Sequence, residues 1–184
     1  MTPTREQCLR MLEERAVPRA IREHGILVAR VAVGIAEALR ARGHDLDLDI
    51  IEAAALLHDI ARSEADHARA GANALAARGY GRLAEIVRQH MRPETEQQNR
   101  ITEVTVVYLA DKHVLGKHIV PLERRFDKRR DECRLNPAAL RSIEENYRIA
   151  RGIEGMFVRA MGCSGDVLEC LRMEDIHPNG GSVK

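Results

Sequence analysis

Six residues of metal-binding type recur along the chain, four of them histidines and two aspartates: His24, His58, Asp59, His67, His90 and Asp111. Two of them are adjacent, because His58 and Asp59 interrupt the apolar run that begins at Ala53. A carboxylate in an apolar interior is costly unless it binds a metal, pairs with another charge or shifts its pKa. The pair therefore predicts a buried polar site, and the other four residues are its candidate partners.

The residue types indicate which ions such a site would hold. Imidazole and carboxylate together favour divalent ions of the Fe, Mn, Co, Ni and Zn group over Ca or Mg. Six ligands exceed the needs of one ion, so we predict two ions that share Asp59. The other predicted ligands are His24, His58 and Asp111 for one ion, and His67 and His90 for the second. Two such ions hold a water and lower its pKa, which makes it a nucleophile near neutral pH.

Helical spacing explains how separate segments would position these side chains. His24 interrupts an apolar stripe, His58 follows a second stripe and His90 ends a third. Asp111 lies on a helix predicted from Thr102 to about Leu115. The six residues come from five predicted helices, so a common site requires these helices to converge.

Each candidate also has a simpler explanation. His24 or His90 alone would fit a hydrogen-bonded core histidine, and the polar neighbours of His67 fit an exposed helix start. Asp111 alternatively pairs with Lys112 or a nearby arginine. The ordered set as a whole favours metal binding.

Basic side chains flank the presumed ligands at Arg62, Arg69 and Lys112. These groups match phosphate oxygens, so we predict that all three bind substrate, with a solvated helix face as the alternative. The remaining histidines lie off the stripes or in loop-like stretches and are predicted at the surface, with His113 alone near enough to approach the site: His44, His113, His118 and His177.

Composition indicates one all-α domain. Aromatic residues make up 3% of the chain and Trp is absent, which suits packed helices better than a β-sandwich. Capping and spacing signals predict about seven or eight helices. The predicted domain spans about 1–172, with a metal-site core at 18–126 and scaffold helices at 137–172. A flexible tail is predicted at 173–184.

Charge and cysteine usage restrict the partners and the location. A net charge of +1 predicts neither a nucleic-acid polymer nor a membrane surface as partner. The basic run 124–130 is offset by acidic neighbours and is interpreted as a solvated loop or helix face. The longest apolar stretch, 26–36, is shorter than the ~20 residues of a membrane helix. The four cysteines lack C-x-x-C spacing and no signal-peptide pattern is present, which predicts buried cysteines in a reducing cytoplasm.

The order H…HD…H…H…D over about 18–126 resembles the HD-domain metal-dependent phosphohydrolases. The segment 67–72, His-Ala-Arg-Ala-Gly-Ala, and the segment 110–112, Ala-Asp-Lys, are part of the match. In that family two extra histidines mark dinuclear members, and the bacterial HD proteins that cleave dinucleoside tetraphosphates share this layout. The resemblance implies a helical bundle of the HD type and metal roles for all six residues.

Two departures from the family pattern bear on substrate and mechanism. Many members have His-Asp-Ile-Gly-Lys where this chain has His-Asp-Ile-Ala-Arg at 58–62. Arg62 can clamp phosphate but does not donate a proton, because its pKa exceeds about 12. The GYP signature of relatives that cleave cyclic di-GMP is also missing, which weighs against that substrate.

The residues and the resemblance together predict a cytoplasmic metal-dependent phosphohydrolase. Its substrate would be a small nucleotide-like molecule, cleaved at a phosphoester or phosphoanhydride bond. Asp59, Arg62 and Lys112 are the predicted catalytic residues. One alternative is a non-catalytic regulatory module that holds metal and nucleotide. Another is a helical adaptor whose histidines only pack or hydrogen-bond.

Overall fold

The computed structural model describes residues 1–171, which form nine helices and one two-stranded sheet. The helices are α1 (Arg5–Glu14), α2 (Arg19–Arg40), α3 (Leu48–Leu57), α4 (His67–Ala76), α5 (Gly81–Gln89), α6 (Glu103–Lys112), α7 (Leu122–Glu132), α8 (Pro137–Met161) and α9 (Val167–Cys170). The strands are β1 (Val114–Leu115) and β2 (His118–Ile119). The predicted all-α class is confirmed.

Local capping signals fix the starts of several helices. Thr4 and Gln7 form a capping box at the start of α1. The side chain of Asp66 accepts a hydrogen bond from the backbone of α4, and Asn136 does the same for α8. Because these side chains satisfy backbone N–H groups that have no partner inside the helix, the helix starts are set locally.

The helix predicted to reach Leu115 ends earlier, at Lys112. The chain turns back at Gly116, where φ is +61°. Val114 then pairs antiparallel with Ile119. A positive φ ends a helical pattern and is easily adopted by glycine, so this short hairpin replaces the last predicted turn.

Helix α7 occupies the segment that the sequence analysis interprets as a solvated loop or helix face. One face of it is buried through Leu122 and Phe126, which lie four residues apart. Two apolar residues at this spacing are enough to seat a highly charged helix on the core. With α7, the part of the chain that the structure describes contains nine helices instead of seven or eight.

The helices surround one apolar core that runs from Cys8 to Leu171. Helix α2 packs against α3 and α6, α4 packs against α5, and α3 also contacts α5. This packing brings the C-terminal ends of α3, α5 and α6 together beside α2. The core therefore places the ends of separate helices at one point.

Helices α2 and α3 approach each other closely at Gly25. A Cβ atom at this position would lie only 2.9 Å from the carbonyl oxygen of Leu56. Gly71 has a milder restriction, because its Cβ would lie 3.1 Å from the side chain of Ile60. A backbone oxygen cannot move aside as a side chain can, so Gly25 sets the distance between α2 and α3 next to His24.

The cysteines depart in part from the prediction that they are buried apolar groups. Cys8 is buried, and burial raises the pKa of its thiol to about 12. Cys133 is only half-buried, and Cys163 and Cys170 form a disulfide. Gly162, with φ at +70°, turns the chain after α8, and the two Cα atoms of the bridge lie 5.9 Å apart. The cytoplasmic location stays a prediction.

None of the helices within residues 1–171 is both long and apolar enough to cross a membrane. The tail predicted at 173–184, which includes His177, lies outside the described residues. The domain boundaries stay a prediction.

We expect Gly25→Ala to lower the free energy of unfolding by about 1–3 kcal/mol, because the added methyl group would push α2 away from α3. Gly152→Ala is the matched control, since a Cβ there meets no atom within 4 Å outside its own helix turn. That variant should raise stability by roughly 0.5–1 kcal/mol. Urea denaturation measures both, and equal effects would contradict the close packing at Gly25.

Candidate metal centre

All six predicted ligands meet at one place in the structure. His24 lies in α2, His58 and Asp59 follow α3, His67 begins α4, His90 follows α5, and Asp111 lies in the last turn of α6. Their four imidazole rings form a continuous arc, in which neighbouring ring centroids are 5.1–5.3 Å apart. The convergence of helices that the sequence requires is therefore present.

One group of ligand atoms lies on the side of Asp59 that carries Oδ2. His24 Nε2 lies 3.1 Å from Asp111 Oδ1, and His58 Nε2 lies 3.7 Å from the same oxygen. His58 Nε2 also lies 3.6 Å from Asp59 Oδ2. Two ligands that each bind one ion at about 2.1 Å are themselves roughly 3.0–3.4 Å apart. These separations are close to what a shared ion requires.

A second group surrounds the other oxygen of Asp59. His67 Nε2 lies 3.3 Å and His90 Nε2 lies 3.5 Å from Asp59 Oδ1. Asp59 thus turns one oxygen towards each group, as a bridging carboxylate must. Arg62 Nη1 lies 3.0 Å from His67 Nε2 and can donate a hydrogen bond to it. An ion held here would use the same lone pair, so Arg62 has to move aside for it.

The hydrogen bonds of two rings orient their free nitrogens into the site. His58 Nδ1 lies 2.8 Å from the carbonyl oxygen of Ala55, and His90 Nδ1 lies 2.7 Å from that of Val87. A proton on Nδ1 leaves the lone pair of Nε2 free for a metal.

Three buried polar atoms of the site have no hydrogen-bond partner among the residues that the structure describes. They are His58 Nε2, His90 Nε2 and Asp59 Oδ1. Unpartnered polar atoms in the interior are costly, and native structures contain few of them. A divalent ion would satisfy all three, so the residues present fit the group that their types predict.

The electrostatics keep the ligands in the protonation states that bind metals. Burial lowers the pKa of His58 to about 4, so its ring is neutral at pH 7. Burial by itself would raise the pKa of Asp59, but the His90 ring beside it lowers that pKa below its usual value. For Asp111 burial is likewise outweighed, mainly by the charge of Lys112, and the pKa falls well below its ordinary range. Both carboxylates are therefore ionised.

Lys112 is buried beside the site. Its Nζ donates to Asp111 Oδ2 at 2.6 Å and to the carbonyl oxygen of His90 at 3.3 Å. Burial lowers the pKa of Lys112. Asp111 is therefore both a buried residue of the site and a partner of Lys112, which were alternatives in the sequence.

A cavity of about 490 Å³ opens from the ligands towards α7 and α8. Its volume lies within the roughly 300–1,000 Å³ of small-molecule sites. Arg62 and Lys112 line it, together with four of the six ligands. Arg69 does not line it: this side chain is exposed and pairs with Asp66 at 3.0 Å.

Arg125 also lines this cavity, and it is not among the site residues predicted from the sequence. Its Nη2 lies 3.7 Å from Asp111 Oδ1, and its Nη1 donates to the carbonyl oxygen of Val114. The available signal was helical spacing, because Leu122 and Phe126 mark the buried face of α7 on which Arg125 lies.

A second buried polar pair links the site to α8. His113 is fully buried, so its predicted surface position is wrong. Its Nδ1 lies 3.0 Å from the carbonyl oxygen of Val120, and its Nε2 lies 3.1 Å from Glu154 Oε1. Burial would raise the pKa of Glu154, but the contact with His113 brings it below its usual value. This contact joins the end of α6, which carries Asp111, to α8, where Glu154 also accepts hydrogen bonds from Arg151 Nη1 at 2.7 Å and from the backbone N–H of Val167 at 3.4 Å.

The sequence order, the fold and the ligand geometry agree with a comparison against protein-family models. The model of the HD domain matches residues 21–114, which is half of the chain and includes all six ligands. The chain therefore belongs to the HD-domain superfamily of metal-dependent phosphohydrolases. Comparisons with curated proteins and with solved structures give no match.

We expect Glu154→Gln to lower the free energy of unfolding by about 1–3 kcal/mol near pH 7, because His113, Arg151 and the backbone N–H of Val167 then lose an ionised partner. The folded-state pKa of Glu154 is below the value of 4.5 for a free side chain. Its contribution is therefore complete above pH 4.5 and is lost as the pH falls through the folded-state value.

Urea denaturation at pH 7 and pH 4 tests this expectation, and the difference between wild type and variant should shrink at pH 4. Glu145→Gln is the control, since Glu145 pairs with Arg92 in an exposed position. A surface pair contributes about 0–1 kcal/mol. Equal losses in the two variants would show that the buried Glu154 carboxylate stabilises the fold no more than an exposed ion pair does.

Proposed function

We propose that the protein is a metal-dependent phosphohydrolase that cleaves a phosphoester or phosphoanhydride bond of a small nucleotide-like substrate. The observation that carries this proposal is the convergence of six ligand side chains, four of which line a cavity that basic side chains also line. Metal ligands alone would fit many reactions. The adjoining guanidinium and ammonium groups favour a phosphorylated substrate.

The ligand groups support two ions that share Asp59. His24, His58 and Asp111 would hold one ion with Asp59, and His67 and His90 would hold the other. When bound, such ions act as Lewis acids on phosphoryl oxygens and activate a water for attack on phosphorus. The Nδ1 hydrogen bonds of His58 and His90 keep their rings oriented for this role.

Arg62 is suited to hold phosphate oxygens rather than to move protons. Its side chain is about half exposed and its Nη1 lies 3.7 Å from Asp59 Oδ1, at the edge of the ligand cluster. A guanidinium stays charged at all working pH values, so it stabilises negative charge without donating its proton.

Lys112 is suited to position Asp111 and to face the substrate at the same time. Two of its N–H groups are directed at Asp111 and at the His90 carbonyl. An ammonium group has three donors. The Nζ atom also lies 4.7 Å from the centroid of the Tyr108 ring, and we propose that its third donor turns to substrate phosphate in the cavity that Lys112 lines.

A regulatory module that binds metal and nucleotide without turnover is the second candidate. It is favoured by one observation, the hydrogen bond from Arg62 to His67 Nε2, because that contact competes with the second ion. Wild-type protein that retains stoichiometric metal but hydrolyses no mono-, di- or polyphosphorylated nucleotide would support this candidate over the enzyme.

We expect Asp59→Asn to lose at least half of the bound metal and to lower hydrolysis by about 10²-fold or more, because the shared carboxylate charge is removed. Elemental analysis and a phosphate-release assay measure the two effects. Asp131→Asn, at an exposed position of α7, is the matched control and should change neither. Unchanged metal content and activity in Asp59→Asn would contradict the proposal.

A further inference from the structure

The cavity extends beyond the metal centre to a wall that α7 and α8 form, outside the matched HD-domain range. We call this surface the α7–α8 wall. Its residues are Arg125, Phe126, Arg129 and Cys133, with Ala139, Ser142, Ile143 and Asn146. None of them is a candidate metal ligand in the two groups described above. The wall is therefore free to contact a part of the substrate that lies away from the reacting phosphate.

Contacts between α7 and α8 hold the wall together. Arg130 Nε donates to Glu144 Oε1 at 2.7 Å, and the Arg130 guanidinium stacks 4.7 Å from the centroid of Tyr147. The rings of Phe126 and Tyr147 lie 5.2 Å apart. A surface fixed in this way loses little entropy when a ligand binds.

The basic side chains along the cavity differ in how strongly neighbouring groups already bind them. Lys112 and Arg125 are already directed at Asp111, and Arg125 also donates to a backbone carbonyl. Arg129 lies one helical turn further from the ligands, with about half of its side chain exposed, and pairs with the exposed Glu132 at 3.0 Å. Exposed pairs of this kind are weak, so Arg129 can exchange Glu132 for another anion at little cost.

Apolar groups lie beside this guanidinium. Phe126 and Ile143 are 5% and 8% exposed and line the cavity with the apolar surface that remains accessible, and Met91, which is 45% exposed, lines the same cavity. A sugar hydroxyl placed against such groups would lose its hydrogen bonds to water. A planar base gains from the same contact.

We infer that the α7–α8 wall binds the part of the substrate beyond the reacting phosphate, with Arg129 pairing with a second phosphate and Phe126 and Ile143 contacting a nucleobase. The wall thus selects nucleoside diphosphates and longer polyphosphates over monophosphates and sugar phosphates. This inference rests on the proposed function, because it assigns the substrate class of the same site.

The first test is titration calorimetry of ADP, AMP and inorganic phosphate with the metal-loaded protein, with both nucleotides supplied as phosphonate analogues that cannot be hydrolysed. In Arg129→Ala the affinity for ADP should fall about 10-fold, since a charge-assisted pair is lost. The affinities for AMP and for phosphate should change by less than about twofold, since neither ligand reaches Arg129. Lys128→Ala is the matched control, because Lys128 is the adjacent residue, carries the same charge and does not line the cavity. It should leave all three affinities unchanged.

The second test fills the space beside the wall. Ser142→Trp should weaken the binding of both nucleotides by about 10-fold or more and leave that of inorganic phosphate unchanged. Arg141→Trp, on the same helix but outside the cavity lining, should have no effect. Circular dichroism confirms that each variant is folded.

Loss of affinity for all three ligands alike in Arg129→Ala, or no loss for ADP, would overturn the inference. Hydrolysis of bis(p-nitrophenyl) phosphate is measured separately. If that ester is hydrolysed but the affinity for ADP does not depend on Arg129, the inference is overturned and the phosphohydrolase proposal stands. If the affinity for ADP depends on Arg129 but no phosphoester is hydrolysed, the result supports nucleotide binding by the α7–α8 wall and contradicts the proposed function.

Discussion

Two carboxylates in the interior, those of Asp59 and Asp111, are the constraint around which the molecule is arranged. They are 8% and 4% exposed, and their charge has to be balanced within a few ångströms. Helix ends supply the balance, because a side chain at a helix end can reach a point that several helices share. The apolar stripes upstream of each ligand fix where those ends lie. The packing of the helices therefore also determines the geometry of the ligands. Gly25 affects both, because it sets the distance between α2 and α3 beside His24.

The sequence was sufficient for features that depend on local spacing. Capping residues such as Thr4 and Asn136 mark helix starts because a cap acts within one turn, and the predicted grouping of ligands about Asp59 follows from residue type and order. The sequence was not sufficient where a partner lies far along the chain. His113 could not be placed in the interior without Glu154, which faces it from another helix. In α7, charge masked the two apolar residues that seat the helix, so Arg125 was missed.

The site is built from two parts of the chain, the segment that matches the HD domain and the helices that follow it. The segment that matches the HD domain supplies every candidate ligand, and α7 and α8 supply the far side of the cavity. Such a division would allow the candidate metal centre and the proposed substrate-binding surface to change independently. The His113–Glu154 contact limits this independence, because it fixes the end of α6 to α8. Changes in α8 can therefore reach the end of α6 through this buried pair, and also through Tyr108, whose hydroxyl donates to the carbonyl oxygen of Asn146.

The hairpin turn at Gly116 has an implication for how the chain can vary over evolution. Its carbonyl oxygen lies 3.4 Å from His24 Nδ1, and the neighbouring Val114 carbonyl accepts a hydrogen bond from Arg125. Surface turns usually tolerate added or deleted residues. Here a single inserted residue would displace the backbone that orients the side chains of His24 and Arg125. Natural variants should therefore have insertions and deletions in the polar loop at 94–100 but not in this turn.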